Sequence, residues 1–257
     1  MPYRLQPKDS DISGYACFIY PIHNPAKRVS QAVRAQNRDI ALSISNHATF
    51  AHAAEYAQLA EFWRTSGDIQ DIWTKIFTII SSQAEWAPFS GPGHWNDADM
   101  LQIGRTNTPN SLNANSRPTR ITREEQRSQF SLWCLSSAPL LMSCDLSRLD
   151  GFTLSMLKND EMIAVNQDPL GKACTELPGV DKLKIYVKEM EDKSKVIGIL
   201  NTADGNCDTT IPWIKLGLNG KLPIRDLWAK SNLVTSEKGV DVTLPSHACM
   251  VIQTPPL

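Results

Sequence analysis

Arg64 and Asp68 stand four positions apart in the run FWRTSGD, residues 62–68, with a glycine just before the aspartate and an aromatic before the arginine. A guanidinium and a carboxylate in that setting suit the polar loop that ends a strand of an α/β barrel, where catalytic groups collect. A second run, GPGHWNDADM at residues 91–100, follows about one βα unit later and brings Asp97 and Asp99. Carboxylates from two strand ends can break a glycosidic bond: one attacks the anomeric carbon or activates water, and the other protonates the leaving oxygen. Arg64 could bind a sugar hydroxyl or hold a carboxylate ionised, because a guanidinium fork matches carboxylate geometry. Trp63 and Trp95 offer flat apolar faces of the kind sugars stack on. Plainer uses exist for the same residues. Asp68 suits the N-cap of a helix beginning at Ile69, Asp97 suits a cap or a turn, and Trp63 suits a core. The arrangement by itself fits many barrel enzymes.

The elements that would position these groups alternate. Residues 14–20 (GYACFIY) and 39–45 (DIALSIS) read as buried strands, and residues 61–64 as a short one. Strand character returns at 99–103 and at 139–144 (PLLMSC). Helical spacing occupies 24–36, 50–60 and 69–81, the last with Ile69, Ile72, Trp73, Ile76, Phe77, Ile79 and Ile80 on one face. Residues 104–121 read as a long loop. Thr122 with Glu125 three positions on is a capping box that opens a helix running to Leu135. Short helices are expected at 152–157 and 161–166. This alternation predicts βα units around a parallel sheet. Its five strand-like runs fall short of the eight strands and roughly 250 residues of a complete (β/α)8 barrel.

The pattern changes between residues 171 and 180. Residues 183–188, 196–201, 207–211, 223–228, 240–244 and 248–254 are short apolar runs split by polar turns such as Asp192-Lys193-Ser194-Lys195 and Asp204-Gly205-Asn206, with no helix between them. This predicts an antiparallel β-sandwich. The expected organisation is therefore α/β over residues 1–175, then all-β over residues 176–257.

Composition excludes several classes. The chain has 257 residues, 42% hydrophobic and 21% charged, with a net charge of -1. There is no basic patch for nucleic acid and no charged tail. No stretch is apolar enough to span a membrane. Residues 1–11 lack the apolar core of a signal peptide. The six cysteines show neither metal-ligand nor redox spacing and read as small buried hydrophobes. His47 and His52 have no second ligand spaced with them for a metal.

Longer runs carry a resemblance. GPGHWNDADML at 91–101 is similar to the GPGxWNDPDML signature of the α-galactosidase (melibiase) family, glycoside hydrolase family 27, and WRTSGDIQDIW at 63–73 resembles that family's WRTTGDIxDxW. SLWCLSSAPLLMSCDL at 131–146, VNQDPLGKAC at 165–174, DLW at 226–228 and PSHACMV at 245–251 match in the same order. The resemblance implies the C-terminal part of a (β/α)8 TIM barrel, strands about four to eight, followed by an antiparallel β-sandwich. It implies a retaining, double-displacement glycosidase acting on a terminal α-linked galactose of a galactoside or oligosaccharide, with no cofactor and no metal. Asp68 falls on the family's acid/base position, Arg64 on its sugar-binding arginine, and Asp99 and Met100 on its galactose-holding Asp-Met pair. Ser45 and Trp95 are expected to line the pocket. A general acid in this role needs its pKa raised by burial or by a neighbouring charge.

Three departures qualify those expectations. Ala98 replaces the signature's proline. The family's nucleophile is the aspartate of a K-x-D run; aligned on Tyr20-Pro21, Ala16 and Phe18 take the lysine and aspartate positions, and ACFIYP contains no carboxylate. The expectation is a truncated chain without the nucleophile, either inactive as a hydrolase or a carbohydrate-binding remnant. Ser45 and Ala48 are small where galactose-specific members tend to be bulkier. That leaves room for a 2-acetamido group and makes α-N-acetylgalactosaminidase the alternative specificity, unless the loop simply differs. Family members are often secreted, periplasmic or lysosomal; the sequence leaves compartment and oligomeric state open.

Overall fold

The computed structural model describes residues 23–45, 48–106 and 116–257. The expected strand at 14–20, with Phe18 and Cys17, and the histidine at 47 lie outside the described residues.

The chain opens with α1 (His23–Arg34), β1 (Ser43–Ile44), a 3-10 turn at Phe50–His52, α2 (Ala53–Leu59), β2 (Phe62–Arg64), α3 (Trp73–Trp86) and β3 (Trp95–Asp97). β1, β2 and β3 form one parallel sheet in that order, with Ile44 opposite Trp63 and Arg64 opposite Asp97. Parallel strands joined by crossover helices are what the alternating pattern predicts. Each strand is only two or three residues long, and β2 and β3 end in the charged Arg64 and Asp97. A parallel bridge from Leu101 to Met142 continues the pairing past β3.

Three expected elements differ. α3 starts at Trp73, not Ile69, because the Ile69 N–H and the Asp71 carboxylate are taken by partners far away in sequence. Residues 67–72 are consequently a loop, and Asp68 caps nothing. The third parallel strand is Trp95–Asp97; the apolar run at 99–103 contributes only the bridge at Leu101. The run at 139–144 is likewise reduced to bridges, Met142 to Leu101 and Cys144 to Thr106. Within the long loop, β4 (Arg105–Thr106) and β5 (Arg117–Pro118) pair antiparallel.

α4 (Arg123–Leu135) begins as predicted. Thr122 Oγ1 accepts from the Glu125 N–H at 3.2 Å, and the Glu125 carboxylate accepts from the Thr122 N–H at 2.7 Å. α5 (Gly151–Leu157) and α6 (Asp160–Asn166) follow, capped by Asp150 and Asn159.

Eight strands complete the chain: β6 (Thr175–Val180), β7 (Leu183–Glu189), β8 (Lys195–Asn201), β9 (Cys207–Pro212), β10 (Ile224–Asp226), β11 (Ser231–Leu233), β12 (Gly239–Leu244) and β13 (Cys249–Gln253). An antiparallel sheet of order β11-β10-β13-β8-β7-β6 faces the pair β12-β9. β6 and β11 were not expected. β6 contains Pro178-Gly179, which reads as a strand breaker, but it lies at the sheet edge with a register shift between Leu177 and Val180, where proline is tolerated.

Side chains on the large sheet alternate between two cores. Leu183, Ile185, Ile197, Ile199 and Ile252 meet Ile211, Trp213, Val240 and Val242 between the sheets. Tyr186, Val196, Leu200 and Val251 point the other way, into a core shared with Ile76 of α3 and Leu132 and Leu135 of α4. Gly198 admits the α4 side chain, since a Cβ there would sit 2.4 Å from Leu135 Cδ1. A third cluster, Ile44, Ala48, Tyr56, Trp63 and Trp86, seats β1 and β2 on α2 and α3.

Candidate active site

The parallel register decides what gathers at the strand ends. Arg64 ends β2, Asp97 ends β3, and the chain turns at Ala98, which is wholly buried. Asp97 Oδ1 accepts the Asp99 N–H at 2.8 Å, and Asp99 adopts a left-handed backbone, φ 75°. Aspartate tolerates that region better than most residues. The turn sends the Asp99 carboxylate back over β2, where Oδ2 lies 2.7 Å from Arg64 Nη2 and accepts the Ile69 N–H at 2.8 Å. Its other oxygen takes the Met100 N–H at 2.8 Å, and the Trp133 indole of α4 donates to the Asp99 carbonyl at 2.8 Å.

Arg64 therefore joins the two sequence runs. Besides Asp99 it contacts Asp68 Oδ1 at 3.3 Å and donates to the Ser66 carbonyl at 3.2 Å. Its Nε is buried without a partner among the described residues. Arg64 and Asp99 are both nearly shielded from solvent, at 11% and 9% side-chain exposure, whereas Asp68 is 97% exposed. The burial expected of a general acid is not supplied to Asp68 by the described residues; Arg64 is its ion-pair partner.

Asp97 had only a cap or turn expected of it, and it is more deeply buried than Asp99. Burial pushes its carboxyl above the ordinary value, with the Asp99 charge acting the same way, while the Asp99 N–H and Arg64 oppose the shift. The signal in the sequence was the Asp-x-Asp spacing, since an aspartate side chain commonly accepts from the N–H two residues on.

The other expected residues divide. Met100 follows Asp99 directly, donates its N–H to the Asp99 carboxylate and is 38% exposed. Ser45 follows β1 one step beyond Ile44, the partner of Trp63, and is exposed beside the strand end that carries Arg64. Ala48 donates its N–H to the Arg64 carbonyl at 2.8 Å, but its side chain is buried in the cluster with Tyr56 and Trp63. Trp63 is fully buried and stacks on His94, so it is core. Trp95 is not brought to the cluster. It begins β3 opposite Phe62, at the other end of the strands, and packs over Gly171 beside Pro92. There it lines a separate cavity of about 470 Å³ with Phe62, Ser137, Leu140 and Asp168.

Among the described residues no group of three His, Cys, Asp or Glu side chains is placed to hold a metal. None of their helices is long and apolar enough to cross a membrane. The strand ends thus bring together a shielded guanidinium-carboxylate pair, capable of hydrogen bonding, and an exposed carboxyl 3.3 Å from the guanidinium.

Comparison with known proteins identifies the family. The model for the alpha galactosidase A family matches residues 15–168, and that for the alpha galactosidase C-terminal beta sandwich domain matches residues 180–254. An alpha-galactosidase of Cyamopsis tetragonoloba is 36% identical over 198 residues, covering 75% of this chain and 44% of that protein. Alpha-galactosidase 2 of Arabidopsis thaliana is 32% identical over 224 residues, 86% of this chain and 53% of its own length. The human alpha-N-acetylgalactosaminidase is 32% identical over 197 residues, 72% of this chain and 44% of that protein. Among solved structures, a family 27 β-L-arabinopyranosidase from Geobacillus stearothermophilus superposes with a TM-score of 0.83 at 26% identity, over 91% of this chain and 54% of the other. The chain spans about half the length of the curated relatives it matches. With both family models matched in order along it, the chain belongs to the α-galactosidase (melibiase) family of glycoside hydrolases.

Proposed function

We propose that this chain supplies the acid/base and sugar-binding groups of a retaining α-galactosidase-type site acting on terminal α-linked galactose. The observation that carries the reading is Arg64, held 2.7 Å from Asp99 and 3.3 Å from Asp68 where parallel strands end. Arg64, Asp99 and Met100 hold the sugar, and Ser45 borders the pocket. Asp68 donates its proton to the leaving oxygen. An incoming sugar would cover the exposed Asp68 and take it out of water, the change a general acid requires. We further place the division between barrel and sandwich at residues 175 and 176.

Retention needs a second carboxylate as nucleophile. The resemblance puts Phe18 at that position, and phenylalanine cannot form a covalent intermediate. Phe18 accordingly favours a second reading, in which the chain binds galactose without turning it over. Ser45 beside the site, together with the likeness to an α-N-acetylgalactosaminidase, keeps the 2-acetamido sugar as the alternative ligand. Calorimetry with galactose and N-acetylgalactosamine, alongside hydrolysis of the two p-nitrophenyl α-glycosides, separates these readings. Turnover abolished by Asp68→Asn supports the enzyme, and binding without turnover supports the remnant. Neither binding nor turnover with either sugar rejects the proposal.

A further inference from the structure

The loop that carries Asp68 has little to hold it from within. A Cβ at Gly67 would meet nothing within 4 Å, and Asp68 itself stands in solvent. Beside it, Asp99 takes the Ile69 N–H and Arg64 reaches Asp68 and the Ser66 carbonyl; a second anchor lies on its far side. Asp71 is buried, at 4% exposure, and its carboxylate accepts five hydrogen bonds from two arginines. Arg117 Nη1 and Nη2 donate to it at 2.6 and 3.1 Å, Arg120 Nη2 and Nε at 2.7 and 3.1 Å, and the Arg120 backbone N–H at 2.9 Å. Arg117 belongs to β5 and Arg120 lies just ahead of α4, 46 and 49 residues along the chain.

Against the cost of burial, the bonds from Arg117 and Arg120 hold the Asp71 carboxyl well below the usual carboxylate range, so they add to stability. Arg117 and Arg120 are 32% and 56% exposed, and water screens part of that gain. The bonds also fix distance. The Asp99 carbonyl is bound by Trp133 of α4, and Asp71 ties the Asp68 loop to the residues that open the same helix. The exposed carboxyl and the sugar-gripping carboxylate are thereby referred to one frame.

We infer that Asp71 is a positioning residue: through Arg117 and Arg120 it sets where Asp68 stands over the sugar held by Arg64 and Asp99. The inference rests on the proposed glycosidase reading for its chemical consequence, but not for its structural one. Asp71 touches no reacting atom in this assignment. Its loss affects proton delivery to the leaving oxygen and spares sugar binding.

The test uses the full chain and Asp71→Asn, which removes the charge at constant size. Amide hydrogen exchange at residues 67–70 is expected to rise about tenfold or more as local opening becomes easier, while galactose affinity stays within about threefold of wild type. Where the chain hydrolyses galactosides, methyl α-galactoside needs a proton on its leaving group and p-nitrophenyl α-galactoside does not. The ratio of their rates should fall by about tenfold or more. Equal losses for both substrates, or unchanged exchange at 67–70, overturn the inference. If wild type cleaves neither, the hydrolase reading fails, and the exchange measurement still decides whether Asp71 holds the loop. Arg120→Gln, a change at a half-exposed side chain, gives the same comparison in smaller measure should Asp71→Asn not fold; no rise in exchange there overturns the inference as well.

Discussion

Asp97 and Asp99 are joined by a 2.8 Å hydrogen bond from the Asp99 N–H to Asp97 Oδ1, and Asp99 is left-handed at φ 75°. One carboxyl shapes the backbone from which the other reaches Arg64. Asp97→Ala should cost about 1–2 kcal/mol, the range for a lost buried acceptor, and should weaken galactose binding. Asp97→Asn keeps the acceptor oxygen and should restore most of both. Urea unfolding and calorimetry on the two variants check this; equal behaviour of alanine and asparagine would contradict it.

Arg64 and Asp68 should separate stability from function. Arg64→Ala leaves the shielded Asp99 carboxylate with backbone N–H donors only, and removing one partner of such a pair costs on the order of 3 kcal/mol. Both the unfolding midpoint and galactose binding should drop. Asp68→Ala, at a side chain in solvent, should leave the midpoint unchanged and abolish any turnover. Thermal unfolding of the two variants side by side gives the answer.

The α4 capping box can be read by itself and through its tertiary partner. Thr122→Ala should destabilise by about 1 kcal/mol, the usual worth of an N-cap. Glu125→Ala should cost more, because Glu125 also holds His247 Nδ1 at 2.7 Å, linking the helix start to the turn before β13. A double-mutant cycle between Thr122 and Glu125 should show positive coupling, since the two residues satisfy each other's N–H.

At alkaline pH two buried groups of opposite sign compete. Burial pushes the Cys174 and Cys249 thiols up to about 11 and about 12, and Cys134 higher still. The unfolded chain releases those protons from about pH 8.5, so the stability they confer is present below that value and is lost as pH rises through the folded values. Lys188 is wholly buried on the α4 side of β7, where it donates to Ser137 Oγ and, at 2.8 Å, to the Lys172 carbonyl. Burial lowers it to about 8, so its charged form opposes folding below that pH. The penalty, on the order of 3 kcal/mol, fades between pH 8 and the unfolded value near 10.5. Three thiols outweigh one amine, and the wild-type midpoint should fall above about pH 9. Lys188→Met should be more stable at pH 7 and should fall more steeply, because the compensating limb is gone.

How much of this was legible in the residues depends on the range of the deciding interaction. The capping box at Thr122 and Glu125, the helices over α5 and α6 and most sandwich strands follow from neighbours a few positions apart, and they are where the pattern puts them. The start of α3 is not local. Ile69 and Ile72 have helical spacing with Ile76 and Ile80, but Asp99 takes the Ile69 N–H and Arg117 and Arg120 take Asp71, which draws residues 67–72 into a loop. β3 was obscured because a three-residue strand has almost no period, while the apolar Leu101 and Ile103 beside it are simply core. At the site, strand-end reasoning put the two runs in one place, but it named no partner for Arg64. The burial of Asp97, the exposure of Asp68 and the turning away of Trp95 depend on register and on which end of a strand a residue occupies. Composition and motif are silent on both.

The shared core between α4 and the six-stranded sheet bears on how this architecture can be taken apart. Leu135 occupies the space that Gly198 leaves vacant, and Tyr186, Leu200 and Val251 complete a cluster begun by Ile76 and Leu132. The sandwich therefore has no finished outer surface on that side. A sandwich expressed alone would present an apolar sheet face to water, and one exchanged for a relative's would have to bring its own α4. The helix and the sheet are therefore expected to unfold together.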